Sequence, residues 1–518
     1  MKRKVTTLSV AALFIAGCAP DPDALDGNGA NGEEGGSGGT LRIGQEYDLG
    51  TLDPAVLSAV GDRQMTANIF EGLLRFEYGT LEIEPALATA WESNEEGTEW
   101  TFQLREGVQF HDGYGEMSAD DVVFSFERVL DEATGSPNRS LLTTISEIRA
   151  EDDYTVVFEM SEPDPSFEYK LTDWYTSIVS REAVEELGDD FQHNPIGTGR
   201  YQFENWTQGQ ETVTVAFEDH WEGEPNLDEV IYRAIPDATT RHNSFMAGEI
   251  DVNQVTDPEI YAQIEDVEGV SIEQVPGLIT RFMGVKADEP PFDDERVREA
   301  ISYAINRPAM MDGIFSGIST PAEGILSPDV DHALTGILDY EYDPDRALEL
   351  LEEAGYDDGV DVTLTIGDVD RFTRPATVIQ QNLAEVGINM EIVTVESQTM
   401  LDQLRSDDGL QMYLLSRGQD PAPDRVLGTW FHSDGIPSNN WARIDDEEVD
   451  AWLDEAMSTM DMDRRDELFG NVQEYVAEGH YLYFIDHEDF IFAVQDRVGG
   501  FQSDPQRSLR LDDVTIQD

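Results

Sequence analysis

The chain has 518 residues, enough for two or three hydrophobic cores, and a hydrophobic content of 40% argues against wholesale disorder. Asp and Glu number 108 against 32 Lys and Arg, for a formal net charge of −76. That balance excludes a nucleic-acid binder, which needs a basic face for phosphate. The acids are spread along the chain rather than bunched at metal-ligand spacing, and lysine occurs only as Lys2, Lys4, Lys170 and Lys286. The pattern suits molar salt, where a Debye length of about 3 Å screens self-repulsion and hydrated carboxylates keep the protein in solution.

Residues 1–17 read as a signal peptide: Arg3 and Lys4 precede an apolar run from Leu8 to Ala16 that is too short to span a bilayer. The run ends Ile15-Ala16-Gly17-Cys18, which resembles a bacterial or archaeal lipobox, and Cys18 is the only cysteine. Lipidation of Cys18 would anchor the chain to the outside of the cell membrane. Residues 18–39 are Gly-, Asn- and acid-rich, a flexible tether. Gly27, Gly29 and Gly32 match the dinucleotide fingerprint in spacing alone, since no strand precedes them and no helix follows. No later apolar run approaches 18 residues.

The body reads as mixed α/β. An alternating strand starts at Thr40. Trp100, Phe102 and Leu104 alternate, and with Val108 and Phe110 beyond Glu106-Gly107 they predict a hairpin. Ser118 and Asp121 make a capping-box-like start for a helix through Leu130. Tyr154, Val156, Phe158 and Met160 predict a half-buried strand. Gly197-Thr198-Gly199 predicts a tight turn needing backbone freedom, and Val297, Ala300, Ile301, Ala304 and Ile305 a helical core stripe. Asp343-Pro344-Asp345 opens a helix that Gly355 closes. A strand over Val360–Ile366, a helix carrying Val378, Ile379, Leu383 and Val386, and a strand over Ile388–Val395 then predict a parallel pair joined by a crossover.

The eight histidines stand in no metal-binding spacing, and there is no CxxC, GxSxG or P-loop. His111-Asp112-Gly113 lies between a strand and a helix cap and predicts a turn. Carboxylates are too abundant for any pair to single itself out as a glycosidase couple. No enzyme, cofactor or metal is expected.

Seven segments together resemble the family 5 extracellular solute-binding proteins, the peptide, dipeptide and nickel-binding group of ABC importers. They are residues 84–91 (EPALATAW), 100–113 (WTFQLREGVQFHDG), 118–128 (SADDVVFSFER), 194–201 (NPIGTGRY), 245–251 (FMAGEID), 291–307 (PFDDERVREAISYAINR) and 342–356 (YDPDRALELLEEAGY). The resemblance runs in family order from about 40 to 518. It implies a two-lobed, periplasmic-binding-protein-like α/β fold, hinged like a flytrap, with an extra subdomain in the first lobe. The expected divisions are 40–282 for lobe 1 with a subdomain at about 81–180, 283–488 for lobe 2, and 489–518 for a C-terminal return to lobe 1. It also implies a monomer that closes on a small ligand, with a short peptide and the ABC permease subunits as partners.

Peptide binders of this family hold the ligand's α-amino group with an Asp in a motif like W-G-x-D-Y-P-D-P. The matching stretch is Arg417-Gly418-Gln419-Asp420-Pro421-Ala422-Pro423-Asp424, with Arg417 in place of Trp, Pro421 in place of Tyr and one residue deleted. The resemblance makes Asp420 the candidate anchor and Asp424 its alternative; a solvated Pro/Asp turn is the plain structural account. Gly418 fits the motif, Trp430, Trp441 and Asn440 are candidate cleft walls, and Arg281 and Arg417 are candidates to meet a ligand carboxylate. Other occupants of the same cleft (a nickel chelate, an opine, an oligosaccharide) stay open, as do a secreted hydrolase and a receptor or chaperone adaptor.

Overall fold

Two sheets with opposed edges and a third, smaller sheet organise the chain. The computed structural model describes residues 38–518 apart from Ser58, Ala59, Tyr78, Ser316, Asp339, Tyr340, Arg507 and Asp518. The signal segment, Cys18 and nearly all of the tether therefore lie outside the described residues. The first sheet has seven strands in the order Val270–Val275, Phe490–Gln495, Val252–Val255, Thr40–Gln45, Glu229–Ala234, Glu211–Ala216, Tyr201–Thr207. The second has six, in the order Ser319–Pro321, Leu482–Glu488, Ile279–Val285, Met412–Gly418, Val360–Gly367, Ile388–Val395. A four-stranded antiparallel sheet, Ala88–Ser93, Glu99–Leu104, Thr155–Met160, Ile145–Asp152, is interposed in sequence between Thr40–Gln45 and Tyr201–Thr207 of the first sheet.

Local chemistry explains the elements that carry these sheets. In Glu99–Leu104 the buried residues are Trp100, Phe102 and Leu104, so alternation sets one face on the core. The helix Ala119–Leu130 is opened by the Asp121 carboxylate, which accepts from the Ser118 amide at 3.0 Å and the Ser118 hydroxyl at 2.9 Å. Asp343 caps Pro344–Glu353 by accepting from the Arg346 amide at 3.0 Å, and Gly355 follows with φ +89°. Val360–Gly367 and Ile388–Val395 pair in parallel along their whole length, across the helix Asp370–Glu385. In helix Glu295–Ala304, Val297, Ala300, Ile301 and Ala304 are all fully buried.

Two expectations fail for identifiable reasons. No hairpin forms at Glu106-Gly107. Glu99–Leu104 pairs instead with Ala88–Ser93 and Thr155–Met160, while the Phe110 amide donates to the Gly115 carbonyl and the Met117 amide to the Val108 carbonyl. Both edges of the strand are already taken, so Val108 and Phe110 are buried by a local turn rather than a ladder. Gly197 and Gly199 serve close approach rather than backbone freedom. A Cβ would lie 2.1 Å from the Ile69 carbonyl oxygen at the first and 2.5 Å from that of Asn68 at the second.

The chain passes between the two large sheets at 276–278 and again at Asp489. Val270–Val275 pairs antiparallel with Phe490–Gln495 in the first sheet, and Ile279–Val285 with Leu482–Glu488 in the second. Residue 282 thus lies inside a strand of the second sheet, and the crossing comes a few residues earlier than the expected division. The crossings are packed together: a Cβ on Gly277 would sit 2.2 Å from the Glu488 carbonyl oxygen. Separate buried clusters fill the two faces of each large sheet. The cluster on the small sheet draws on residues from Ala55 to Ile196. Among the described residues no helix is long and apolar enough to cross a membrane. Gly277→Ala should force one crossing to shift and cost about 1–3 kcal/mol in chemical denaturation; an unchanged midpoint would contradict this packing.

Candidate functional site

Ligands of open α/β sheets bind beyond the carboxyl ends of the strands. In the second sheet Val360–Gly367 and Met412–Gly418 run parallel, so the segments after Gly367 and Gly418 leave from one edge. In the first sheet Thr40–Gln45 runs parallel to Glu229–Ala234 and Val252–Val255, so the segments after Gln45 and Val255 share an edge too. Between the two lies a cleft of about 400 Å³. It is lined by Glu46, Tyr47 and residues 254–258 from the first lobe, by Arg281, Phe315, Val369, Arg371 and Arg374 from the second, and by Glu488 and Asp489 at the crossing. A separate pocket of about 130 Å³ is lined by first-lobe residues alone and does not touch the second sheet.

The basic side of the cleft is graded. Arg281 is buried, with its guanidinium 3.1 Å from Glu488, 3.6 Å from Asp486 and 4.0 Å above the Phe315 ring. Its charge is therefore consumed within the second lobe. Burial raises the Asp486 carboxyl to about 6 against the pull of Arg281. Burial also pushes Glu488 upward, but Arg281, Arg371 and the Ser416 hydroxyl outweigh it and hold that carboxyl below its ordinary value. Arg374 reaches across to Glu259 on the helix Pro258–Ile264 at 3.0 Å, tying the lobes together at the rim. Arg371, on the first turn of Asp370–Glu385, is 3.9 Å from Glu488 and its side chain is 53% exposed.

A second charged cluster, at the lobe boundary but outside the lining of this cleft, gathers at the loop before helix Pro423–Phe431. Asp420 accepts from the Ala422 amide at 3.0 Å and pairs with Arg425, in the first turn of the helix. The same guanidinium lies 3.5 Å from Asp173 and 3.4 Å from the Tyr175 hydroxyl, both on the first-lobe side. Asp173 in turn lies 3.4 Å from Arg63, which stacks 4.6 Å over Trp174. Carboxylates and guanidinia therefore alternate across the lobe boundary, with Asp420 and Asp173 sharing Arg425. Burial raises the Asp420 carboxyl to about 7; Arg425 pulls it down and Asp173 pushes it up. Asp424 accepts from the Ser166 hydroxyl at 2.8 Å, again across the boundary, and Ser166 accepts from buried Arg465 at 2.9 Å.

The remaining candidates sit elsewhere. Trp430 and Trp441 belong to the core of the second lobe rather than a cleft wall, with 4% and 7% of their surface exposed. Arg417 is sandwiched between them at 4.5 Å from each ring, donates to the Asn439 carbonyl at 3.0 Å, and is lowered to about 9 by burial. Asn440 is fully buried, its amide donating to the carbonyls of Phe431, His432 and Ile444. It satisfies a helix end that would otherwise carry orphan carbonyls. Gly418 is exposed at the strand end opposite Ile279. His111 forms the predicted turn; burial lowers it to about 4, and its Nε2 contacts the Gly199 carbonyl at 2.7 Å. Among the described residues no group of three or more His, Cys, Asp or Glu is placed to hold a metal.

The residues that sequence reading missed are Arg425, Asp173, Arg371 and Tyr47. Arg425 and Arg371 carry a faint signal, as arginines in the first turns of helices that follow parallel strands. Asp173 carries none, because some 250 residues separate it from its partner.

Two α/β lobes, crossed twice by the chain and enclosing a charged cleft, define a hinged ligand-binding protein. The family model for bacterial extracellular solute-binding proteins, family 5, matches residues 82–438, and the chain belongs to that family. Heme-binding protein A of Haemophilus influenzae is 28% identical over 533 residues, covering 98% of this chain and 97% of that protein. The dipeptide-binding protein of Escherichia coli K12 is 28% identical over 479 residues, covering 87% and 89%. The structure of DppA from Helicobacter pylori, an ABC transporter-associated periplasmic binding protein in complex with the peptide STSA, superposes with a TM-score of 0.77. It is 28% identical, over 93% of this chain and 98% of that one.

The raised Asp420 carboxyl fixes the sign of a pH effect. The folded chain holds this proton more tightly than the unfolded chain. The cost is absent below about pH 4, where both states are protonated, and fully present above about 7. The melting temperature of Asp420→Asn should therefore rise relative to wild type as pH increases through that window; a flat difference would contradict it.

Proposed function

We propose that this protein captures a short peptide in the cleft between its lobes and delivers it to an ABC importer, without chemistry of its own. The observation that carries this is the sharing of one guanidinium, Arg425, by two desolvated carboxylates, Asp420 and Asp173, at the lobe boundary. Asp173 has Arg63 as a second partner, whereas among the described residues Asp420 has Arg425 alone as an ion-pair partner, and a peptide ammonium would be a further, charge-assisted partner of Asp420. Arg371, on the neighbouring parallel strand's helix, offers its half-exposed guanidinium to the other end of a zwitterion. A ligand of two or three residues spans about 7–10 Å when extended, and a cleft of about 400 Å³ lies within the range of small-ligand sites. The dipeptide-binding relative and the peptide-bound neighbour support the same ligand class. Closure follows if the ligand touches both lobes, since only contacts that differ between the open and closed states shift their populations. The hinge in this proposal is the pair of crossings at 276–278 and 489.

Asp420→Asn should weaken binding of an unblocked dipeptide by about 2–5 kcal/mol in calorimetry at molar salt, and N-acetylation of the peptide should cost wild type as much. Unchanged affinity in both experiments would remove Asp420 from the site. We further propose that Cys18 carries the lipid anchor and that residues 19–39 are the tether. Cys18→Ala should then move the protein from the membrane fraction to the medium or periplasm; retention at the membrane would exclude lipidation at that position.

A further inference from the structure

Single apolar side chains on a protein surface are ordinary, so their grouping is what carries information. Among the described residues five large hydrophobic side chains are exposed, and two of them, Tyr47 at 49% and Val369 at 38%, line the same cleft. They approach from opposite lobes. Tyr47 follows the strand Thr40–Gln45 of the first sheet, and Val369 is the N-cap residue of helix Asp370–Glu385 beyond the second. Ile314, Phe315 and Ile318 line the cleft with them, the Phe315 ring held in place beneath the Arg281 guanidinium at 4.0 Å. The cleft therefore carries an apolar surface as well as its charged residues.

We propose that Tyr47 and Val369 are the jaws of a side-chain pocket, and that the protein selects short peptides bearing a bulky aliphatic or aromatic residue over glycine-only or cationic ones. The inference rests on the peptide-binding function proposed above and adds a substrate class to it. A leucine-sized side chain between the jaws removes apolar surface of both lobes and of the ligand from water. A glycine leaves that surface wet. A lysine would find the carboxylates of Glu46 and Asp257 in the same cleft, but its ammonium would be desolvated against Tyr47 and Val369. Because the jaws belong to different lobes, a bulky side chain bridges them only when the lobes are together, so it favours closure as well as affinity.

The test is calorimetric titration of the purified full chain in molar salt with Gly-Gly, Gly-Leu, Leu-Gly, Gly-Lys and Lys-Gly, for wild type, Tyr47→Ala, Tyr47→Phe and Val369→Ser. Thermal melts of the unliganded proteins check that each is folded. Wild type should bind the better leucine peptide at least about tenfold more tightly than Gly-Gly or either lysine peptide. Tyr47→Ala and Val369→Ser should lose more affinity for leucine peptides than for Gly-Gly, shrinking that ratio severalfold, while Tyr47→Phe keeps it. Equal affinity for leucine and glycine peptides, a lysine peptide bound as tightly as a leucine one, or a ratio unmoved by both Tyr47→Ala and Val369→Ser overturns the inference and leaves the peptide-binding function standing. Binding of none of the five peptides overturns both.

Discussion

Everything in this molecule is arranged about two backbone segments that run side by side from one sheet into the other. The strands 270–275 and 490–495 pair in the first sheet and continue as 279–285 and 482–488 in the second. The same two stretches of chain therefore belong to both lobes. Their separation at the crossing is set by a glycine: Gly277 lies so close to the Glu488 carbonyl that no side chain fits between. Two adjacent crossings restrict relative motion of the lobes to bending about the line that joins them. The carboxyl ends of the parallel strands then face each other across the cleft, and the residues that follow those ends become its walls.

The placement of the buried charges follows from what burial costs. In a chain with 108 carboxylates and 32 basic side chains, most acids can stay in water. Those removed from it need cations, and here the cations are shared: Arg281 serves Asp486 and Glu488, and Arg425 serves Asp420 and Asp173. Shared guanidinia leave Asp420 and Asp486 with raised carboxyls, which is what an incompletely compensated buried acid does. The two sites differ in where they sit. The Arg281 cluster is internal to the second lobe, whereas the Arg425 cluster spans the boundary, so separating the lobes would break it. Arg374–Glu259 and Ser166–Asp424 span the boundary as well, so the lobe boundary has polar ties on more than one flank.

Much of the second lobe was legible in advance. The strands at 360 and 388, the intervening helix, the Asp343 cap and Gly355 all appear where period and capping residues put them, because each is governed by neighbours within a few residues. The hairpin at 106–107 did not form, since both edges of its first strand were taken, one by the preceding strand Ala88–Ser93 and the other by Thr155–Met160 far along the chain. Trp430, Trp441 and Asn440 lie near Asp420 in sequence but belong to the core. Helix Pro423–Phe431 turns Trp430 inward, and the turn after it brings Asn440 and Trp441 back against the same core, which sequence distance from Asp420 does not reveal.

The order of family-like segments, the alternation and capping of individual strands and helices and the acidic composition are properties of the sequence alone, because each depends on composition or on residues close in the chain. The pairing of Arg425 with Asp173, the tie from Arg374 to Glu259, and the meeting of Tyr47 with Val369 in one cleft were decided only by tertiary structure. In each case residues from different lobes, separated by more than a hundred positions, are brought together by the way two sheets fold about a shared pair of strands, and nothing local in the sequence encodes that juxtaposition.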